Sequence, residues 1–217
     1  AFWAESYGGP EIQPLTSASE DFLRNPRSDF SATSFLRPRG ALHIARSNEL
    51  SLADKLATEF EASGIRLERL DQATTRAMLP GLDDIWHFGV WEPDCSDIDV
   101  ASLHGAYLGA VRRAGGTIQC RSALLKAHFS NNRWQIDTTA GSISASTLIN
   151  AAGAWADDVA RCCGISRIGI QPLRRTIVEV SLHTAVSPEL PLVIGLDGSF
   201  YFKPQGQGNS IWLSPHD

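Results

Sequence analysis

The sequence predicts a mixed α/β protein in which a βα core is interrupted by a small antiparallel sheet. Apolar residues recur with helical spacing over residues 99–114, and short apolar runs of strand length alternate with this helix and with others. Three further runs follow one another closely between residues 122 and 145, with turn-forming residues between them. These patterns favour a parallel sheet interrupted by a β-meander, followed by a strand-rich segment.

The helix at residues 99–114 has the clearest pattern. Leu103, Tyr107 and Val111 fall on one face, Asp99 is a natural N-cap, and Gly115 supplies the stop. Shorter stretches with helical character complete the predicted helices: Thr16–Arg24, Glu49–Ser63, Asp71–Leu79 and Gly153–Cys163.

Strands are predicted wherever an apolar or alternating run is bounded by turn signals. In the βα core these runs are Gly40–Ala45, Ile65–Leu70, Ile85–Trp91, Thr117–Cys120 and Thr147–Ala151. The meander consists of Ser122–Phe129, Arg133–Thr138 and Ser142–Ala145, with turns at Asn131-Asn132 and Ala140-Gly141. The strands predicted after Pro172 are Arg174–Leu182, Leu192–Leu196, Phe200–Lys203 and Ser210–Leu213.

Composition excludes several classes of partner. The chain has 217 residues and a net charge of −5 without any basic block or stripe, so we expect no nucleic-acid partner. No run of about 18 apolar residues occurs, so we expect no membrane-spanning segment. The four cysteines form no C-x-x-C pair and no disulfide framework, which favours a reduced, cytoplasmic setting.

We expect no metal site. The six histidines are scattered and form no H-E-x-x-H or comparable ligand pair. Glu92, Asp94, Asp97 and Asp99 form an acidic run, but its spacing is not that of an EF-hand loop. Because Pro93-Asp94 is typical of a turn and Asp99 of a helix cap, we assign the run a structural role.

The strongest local feature is the corner TLINAAGAWAD at residues 147–157, where a predicted strand runs into small residues and then a helix. Ligands of open α/β sheets bind beyond the carboxyl ends of strands, and Ala151, Ala152 and Gly153 would let a ligand approach the backbone closely. Tight packing of the strand against the helix, without any ligand, accounts for the same residues. Both interpretations stay open on the residues alone.

Two groups of cations are candidates for binding a small anion or zwitterion. Arg37 and Arg39 precede a predicted strand, and Arg174-Arg175 precede Tyr201 and Lys203 in the strand-rich part. Arginine binds carboxylates through two parallel hydrogen bonds, and a cation beside an aromatic ring suits a zwitterion. A solvated loop and a charged strand face are the alternatives.

Five segments occur in a recognisable order. They are PRGALHIA at 38–45, GVWEPDCSDIDVASLHGAY at 89–107, NAAGAWADDVA at 150–160, IQPLRRTIV at 170–178 and FYFKP at 200–204. In this order they resemble the D-amino-acid-oxidase-like family of FAD-dependent oxidases and dehydrogenases, which act on amino acids and secondary amines. NAAGAWAD followed by QPLRR is the most specific part, and the opening AFWAESYGG resembles the family's segment after its first flavin-binding helix.

The resemblance implies FAD as the cofactor and assigns residues to it. Leu124, at the start of the meander, would contact the adenine side of FAD. Ala151, Ala152 and Gly153 would lie along the cofactor, and Trp155 would pack behind them.

The resemblance also implies a substrate site, but no catalytic side chain. Tyr7, Tyr201 and Lys203 would bind the substrate, and Arg39, one of the candidate cations above, is assigned to the same site. Gln205 stands where some members of the family carry an arginine, so which cation binds a substrate carboxylate stays open.

A division into two parts follows from the resemblance. Residues 1–35 and 92–168 would be the remaining part of an FAD-binding, Rossmann-like domain with its meander, and residues 36–91 and 169–217 part of a mixed-sheet substrate domain. The G-x-G-x-x-G turn that holds the pyrophosphate in the family has no counterpart in the sequence, and both ends read as cut ends. We therefore expect an exposed sheet edge through which the chain could form homo-oligomers.

The function implied by the resemblance is oxidation of a small amino acid or amine, by hydride transfer from the carbon that bears the amine to flavin N5. Two alternatives stay open. The chain is a non-catalytic, flavin-free fragment, since a missing glycine turn removes much of the binding energy of FAD, or it is an α/β module that binds a small ligand.

Overall fold

The computed structural model describes residues 1–206 and 208–215, and the predicted mixed α/β class is confirmed. The chain divides into two compact units, one of Ala1–Ala110 with the chain from Arg175 onward, and one of Val111–Arg174. Among the described residues, no helix combines the length and the apolar character that crossing a bilayer would need.

The strands and helices of the described residues are numbered in chain order. The strands are β1 (Phe2–Trp3), β2 (Leu36–Pro38), β3 (Ala41–Arg46), β4 (Glu68–Asp71), β5 (Trp86–Glu92), β6 (Ser96–Ile98), β7 (Leu124–Ser130), β8 (Arg133–Thr138), β9 (Gly141–Ala145), β10 (Val178–Val186), β11 (Leu192–Gly195), β12 (Phe200–Pro204) and β13 (Gly208–Pro215). The helices are α1 (Gln13–Arg24), α2 (Leu50–Phe60), α3 (Gln72–Met78), α4 (Val100–Arg113) and α5 (Ala156–Cys162).

The first unit is built on a seven-stranded sheet with the order β10-β13-β12-β11-β3-β5-β4. Its neighbouring strands run antiparallel except β3 and β11, which pair in parallel with Ala41 opposite Leu192. The interior strand β3, which lies between β11 and β5, is buried from Ala41 to Ala45. A strand covered on both faces reads as a continuous apolar run, which is the pattern of this segment.

Side chains of β3 alternate between two cores. Leu42 and Ile44 pack with Val193 on one face of the sheet. On the other face Ala41 packs with Ala4, which belongs to the N-terminal segment. The N-terminal segment therefore lies directly on the sheet.

A three-stranded sheet with the order β1-β6-β2 joins the N-terminal segment to the rest of the first unit. Phe2 pairs with Asp97, and Trp3 pairs with Ser96. Trp3 also packs with Leu23 of α1 in a separate apolar cluster, and its indole Nε1 donates a hydrogen bond to the backbone oxygen of Thr16 at 2.9 Å. These contacts fix the residues that follow β1.

The second unit contains the predicted meander, with the order β7-β8-β9. Asn131 and Asn132 at its first turn have φ of 52° and 59°, as a two-residue hairpin turn with left-handed residues requires. After the meander, a 3-10 turn at Gly153–Trp155 leads into α5, which contacts β7.

Two predicted strands are wrong. Thr117–Cys120 and Thr147–Ala151 are not strands, because neither segment forms a ladder with another strand in the described part of the chain. The apolar run that predicted a buried strand is open to solvent at Ile149, whose exposed fraction is 82%. The pattern also gave no sign of β1, β2 and β6, since strands of two or three residues are too short to show alternation.

A substitution at Gly40 tests the close packing at the junction of β2 and β3. It has φ of +76°, and a Cβ there would lie 1.8 Å from Cη2 of Trp91. We expect Gly40→Ala to lower the free energy of unfolding by about 3 kcal/mol or more, because backbone strain adds to the overlap with the ring. Urea denaturation followed by far-ultraviolet circular dichroism measures the change.

Gly64→Ala is the matched control. Gly64 has φ of +78°, but a Cβ there would meet none of the described residues within 4 Å. Only the backbone strain remains, so the expected loss is about 1 kcal/mol. Equal losses for the two variants would contradict the packing of Trp91 over Gly40.

Candidate functional site

A cavity on one face of the main sheet contains three of the four predicted substrate residues. It has a volume of about 370 Å³ and is lined by Ala1, Phe2, Tyr7, Ile177, Tyr201, Lys203 and Trp212. Tyr201 and Lys203 reach it together because residues two apart on a strand share a face. Phe200 and Phe202, which alternate with them, pack into the apolar core instead.

Aromatic rings form one wall of this cavity. The ring of Phe2 lies edge-on to Tyr7 with centroids 5.3 Å apart, and edge-on to Tyr201 with centroids 5.7 Å apart. Each edge-to-face pair adds about 1 kcal/mol beyond the area it buries. Phe2 thereby holds the rings of both tyrosines in one cluster at the cavity.

The ammonium group of Lys203 is paired with Asp97. Lys203 Nζ donates to Oδ1 of Asp97 at 2.5 Å, and Arg39 Nε donates to Oδ2 at 2.5 Å. Burial raises the pKa of Asp97, but the hydrogen bonds from Lys203 and Arg39 outweigh burial and hold this pKa below its usual range. Asp97 therefore stays ionised and fixes the positions of both cations.

Arg39 is engaged by protein acceptors. Its Nη1 donates to the backbone oxygens of Pro188 at 3.2 Å and Leu190 at 2.6 Å, in addition to the contact with Asp97. With Asp97 and Lys203 it lines a neighbouring cavity of about 550 Å³. The structure thus brings Arg39 to Lys203 through Asp97, and its binding of substrate stays a prediction.

The acidic run separates into different roles. Asp99 accepts the backbone N–H of Ser102 at 2.9 Å and caps α4, as predicted. The side chains of Asp97 and Glu92 are instead mostly buried, and that of Glu92 is 1% exposed. No group of residues suited to hold a metal ion occurs in the described residues.

Three residues at or beside the cavity lined by Tyr7 and Tyr201 were not predicted from the sequence to belong to a site. Asp97 lies in a three-residue strand, where no alternation is visible. Phe2 lies in a strand of two residues. Trp212 reaches the cavity because it pairs with Lys203 across two strands, and cross-strand register is set by tertiary structure.

The predicted cofactor residues lie in the second unit, where the corner at residues 150–157 is accessible. Asn150 braces it: its Nδ2 donates to the backbone oxygen of Ala156 at 2.8 Å, and its Oδ1 accepts from the N–H of Ala152 at 3.2 Å. Gly153 has φ of +56°, and a Cβ there would meet none of the described residues within 4 Å. The backbone at Gly153 is therefore open on the side where a Cβ would project.

The remaining predicted cofactor residues are Ala151 and Trp155 in this corner and Leu124 in the meander. Ala151 is exposed, and Trp155 is 69% exposed. Leu124 is the first residue of β7, pairs with Thr138, and belongs to the strand that α5 contacts. Their contact with a cofactor stays a prediction.

Comparison with known proteins gives a family match over the whole chain. The family model described as "DAO: FAD dependent oxidoreductase" matches residues 1–217. Human mitochondrial dimethylglycine dehydrogenase is 31% identical over 124 residues, which cover 55% of this chain and 14% of the dehydrogenase. The chain thus spans a small part of that relative.

Solved structures share the fold. Glycine oxidase from Geobacillus kaustophilus superimposes with a TM-score of 0.78 at 18% identity, covering 98% of this chain and 58% of the oxidase. L-alpha-glycerophosphate oxidase from Mycoplasma pneumoniae, solved with FAD bound, superimposes with a TM-score of 0.79 at 16% identity, covering 100% of this chain and 61% of that oxidase. The match to each spans a little over half of the solved chain.

Replacing Asp97 by Asn tests its pairing with the two cations. The side chains of Arg39, Asp97 and Lys203 are 9%, 18% and 14% exposed, so removing the anion leaves two poorly hydrated cations. We expect Asp97→Asn to lower the free energy of unfolding by about 3 kcal/mol. Asp54→Asn is the control, because Asp54 and its partner Arg69 are half-exposed and such pairs are worth less than about 1 kcal/mol.

The same carboxylate makes stability depend on pH. Since the pKa of Asp97 is lower in the folded state, its contribution is complete above the ordinary aspartate pKa of about 3.9 and is lost as the pH falls through the lowered pKa. Melting curves at a series of pH values should show a smaller acid-induced loss of stability in Asp97→Asn than in the unmodified chain. Parallel curves for the two would refute the ionised pairing.

Proposed function

Because this chain belongs to the DAO family of FAD-dependent oxidoreductases, we propose that the protein oxidises the C–N bond of an amino acid or a secondary amine. The observation that carries the proposal is the cavity that brings Tyr7, Tyr201 and Lys203 together. Two of the similar proteins are named for substrates of this class, glycine and dimethylglycine.

The cavity suits a small zwitterion with an apolar side. The phenol hydroxyls of Tyr7 and Tyr201 can donate hydrogen bonds to a carboxylate, and Lys203, held by Asp97, adds a fixed positive charge. The aromatic wall keeps water from the apolar part of a bound molecule. On this proposal the chain binds and orients the substrate, which is the contribution that flavoproteins make to chemistry carried by the cofactor.

The residues at 150–157 fit a flavin nucleotide, since the corner combines small side chains with accessible backbone. On our proposal, Leu124, Ala151, Ala152 and Gly153 would hold FAD, with Trp155 behind them. When bound, FAD would supply a hydride acceptor: the carbon bearing the amine would lose a hydride, leaving an iminium ion that water would hydrolyse to a carbonyl compound and an amine or ammonia.

The predicted division of the chain is part of the proposal. Residues 1–35 and 92–168 would serve the cofactor, and residues 36–91 and 169–217 the substrate. Tyr7 belongs to the first part and Tyr201 to the second, so the cavity would receive side chains from both.

Anaerobic reduction of the flavin tests the proposed function. The protein is mixed with excess FAD, so that a weak site is filled, and then with glycine, sarcosine, dimethylglycine or proline, and the oxidised flavin absorbance is followed. We expect bleaching by at least one of these amines and none by glycerol 3-phosphate, the class of compound for which the glycerophosphate oxidase is named. Bleaching by glycerol 3-phosphate alone would overturn the proposal.

Gel filtration of the chain mixed with FAD tests the flavin-free alternative separately. The sequence contains no G-x-G-x-x-G turn for the pyrophosphate, so we expect the 217-residue chain by itself to bind FAD weakly. A yellow chain that keeps its flavin through gel filtration would refute this expectation. A folded chain that shows no FAD binding even at high FAD concentration would favour the flavin-free fragment.

Tyr201→Phe tests the substrate cavity. Loss of one hydrogen bond to a charged group costs about 1.5 kcal/mol, so we expect the KM of the amine substrate to rise by about tenfold. Tyr107→Phe is the matched control, because Tyr107 packs against Phe30 with centroids 5.0 Å apart and does not line the cavity. Steady-state kinetics at fixed pH measure both, and equal KM values for the two variants would contradict the role of Tyr201.

A further inference from the structure

Glu92 is a buried carboxylate that the proposed function does not use. It is the last residue of β5, its side chain is 1% exposed, and it pairs across the strands with Ala41. A buried carboxylate is costly unless its oxygens are satisfied by hydrogen bonds. Its partners therefore show what it does in the fold.

The partners of Glu92 lie in the turn after β1. Its Oε1 accepts the backbone N–H groups of Glu5 at 2.9 Å and Ser6 at 3.2 Å, and its Oε2 accepts the hydroxyl of Ser6 at 2.5 Å. A carboxylate carries acceptors only, so one side chain satisfies three donors of a turn far away in the sequence. The turn is closed by the N–H of Tyr7, which donates to the backbone oxygen of Ala4 at 3.3 Å.

His43 completes the surroundings of this carboxylate. Its Nε2 lies 3.6 Å from Oε2 of Glu92, and this buried nitrogen has no hydrogen-bond partner among the residues that the structure describes. Burial raises the pKa of Glu92, whereas His43 and the donors of Ser6 lower it, and the net shift is downward. Glu92 is thus held in its ionised form, in which its hydrogen bonds to the turn are strongest.

We propose that Glu92 is a positioning residue for the substrate cavity, which holds the turn at residues 4–7 and so fixes Tyr7 on the cavity wall. This inference rests on the proposed function, in which Tyr7 binds substrate. Glu92 does not line the cavity and acts through the backbone of Glu5 and Ser6. A second contact also holds the turn: the carboxylate of Glu5 accepts a hydrogen bond from the hydroxyl of Ser17 in α1.

Three variants of the contact separate positioning from general stability. Glu92→Ala removes all three hydrogen bonds, Ser6→Ala removes one, and Glu92→Gln keeps an oxygen where the two backbone N–H groups bind. Thr75→Val is the matched control, because Thr75 is also fully buried and its hydroxyl makes one hydrogen bond, to the backbone oxygen of Asp71 at 2.7 Å.

The first measurement is amide hydrogen exchange of the N-terminal peptide in the full 217-residue chain, which does not depend on bound FAD. Loss of hydrogen bonds to a charged group should make the amides of Glu5 and Ser6 exchange faster, by about tenfold or more in Glu92→Ala and by less in Ser6→Ala. Glu92→Gln should restore most of the protection, and Thr75→Val should leave this peptide unchanged.

The second measurement is the split between KM and kcat for an amine that reduces the flavin. We expect Glu92→Ala to raise KM by about tenfold with kcat within about twofold, Glu92→Gln to reverse most of that rise, and Thr75→Val to change neither. Unchanged exchange and unchanged KM in Ser6→Ala and Glu92→Ala would overturn the inference, as would a rise of KM in Thr75→Val equal to that in Glu92→Ala. If Glu92→Ala does not fold, Ser6→Ala and Glu92→Gln decide by the same criteria.

The two measurements keep this inference distinct from the proposed function. If no amine reduces the flavin, the proposed function fails, while hydrogen exchange still reports whether Glu92 holds the turn. If amines are oxidised and the amide exchange rates of Glu5 and Ser6 are the same in every Glu92 variant as in the unmodified chain, the positioning role fails and the proposed function stands.

Discussion

On one face of β3, the small side chain of Ala41 leaves room that a larger residue would fill, and the N-terminal segment packs there on the sheet. Ala4 packs onto Ala41, and the turn that follows places its backbone N–H groups over the carboxylate of Glu92, which is paired with Ala41. The position of Tyr7 at the cavity depends on this close approach. A bulkier residue at Ala41 would lift the segment and take Tyr7 with it.

Two ionised carboxylates fix residues around the cavity, and they bind different kinds of donor. Asp97 binds the side-chain cations Arg39 and Lys203, whereas Glu92 binds mainly backbone N–H groups. Each overcomes the cost of burial with hydrogen bonds to both of its oxygens, and each joins segments that are distant in the chain. The cavity is therefore shaped by polar contacts at its margins and by aromatic packing along its wall.

Elements with a regular spacing of apolar residues, and turns with a characteristic residue pair, could be predicted from the sequence. The spacing of Leu103, Tyr107 and Val111 predicts α4, and Asn131-Asn132 predicts the first turn of the meander. Tyr201 and Lys203 share a face for the same reason, because strand alternation is a local property.

The rest of the site depends on tertiary structure. Whether Thr147–Ala151 is a strand depends on a neighbour with which to pair, and apolar composition does not supply one. An acidic run looks alike whether its members are exposed or buried, so the inward position of Asp97 and Glu92 is not visible in their spacing. Cross-strand register, which brings Trp212 to Lys203, is likewise set only when the sheet forms.

The parallel pairing of β3 with β11 has a consequence for how the chain is made. Ala41 and Leu192 are roughly 150 residues apart, and contacts of such long range form late because closing the loop between them is entropically costly. During synthesis β3 can pair with β5 soon after both emerge from the ribosome, but its other edge stays open until β11 is translated. A nascent chain in this state carries an apolar, unpaired strand, which is the kind of surface that chaperones protect from aggregation.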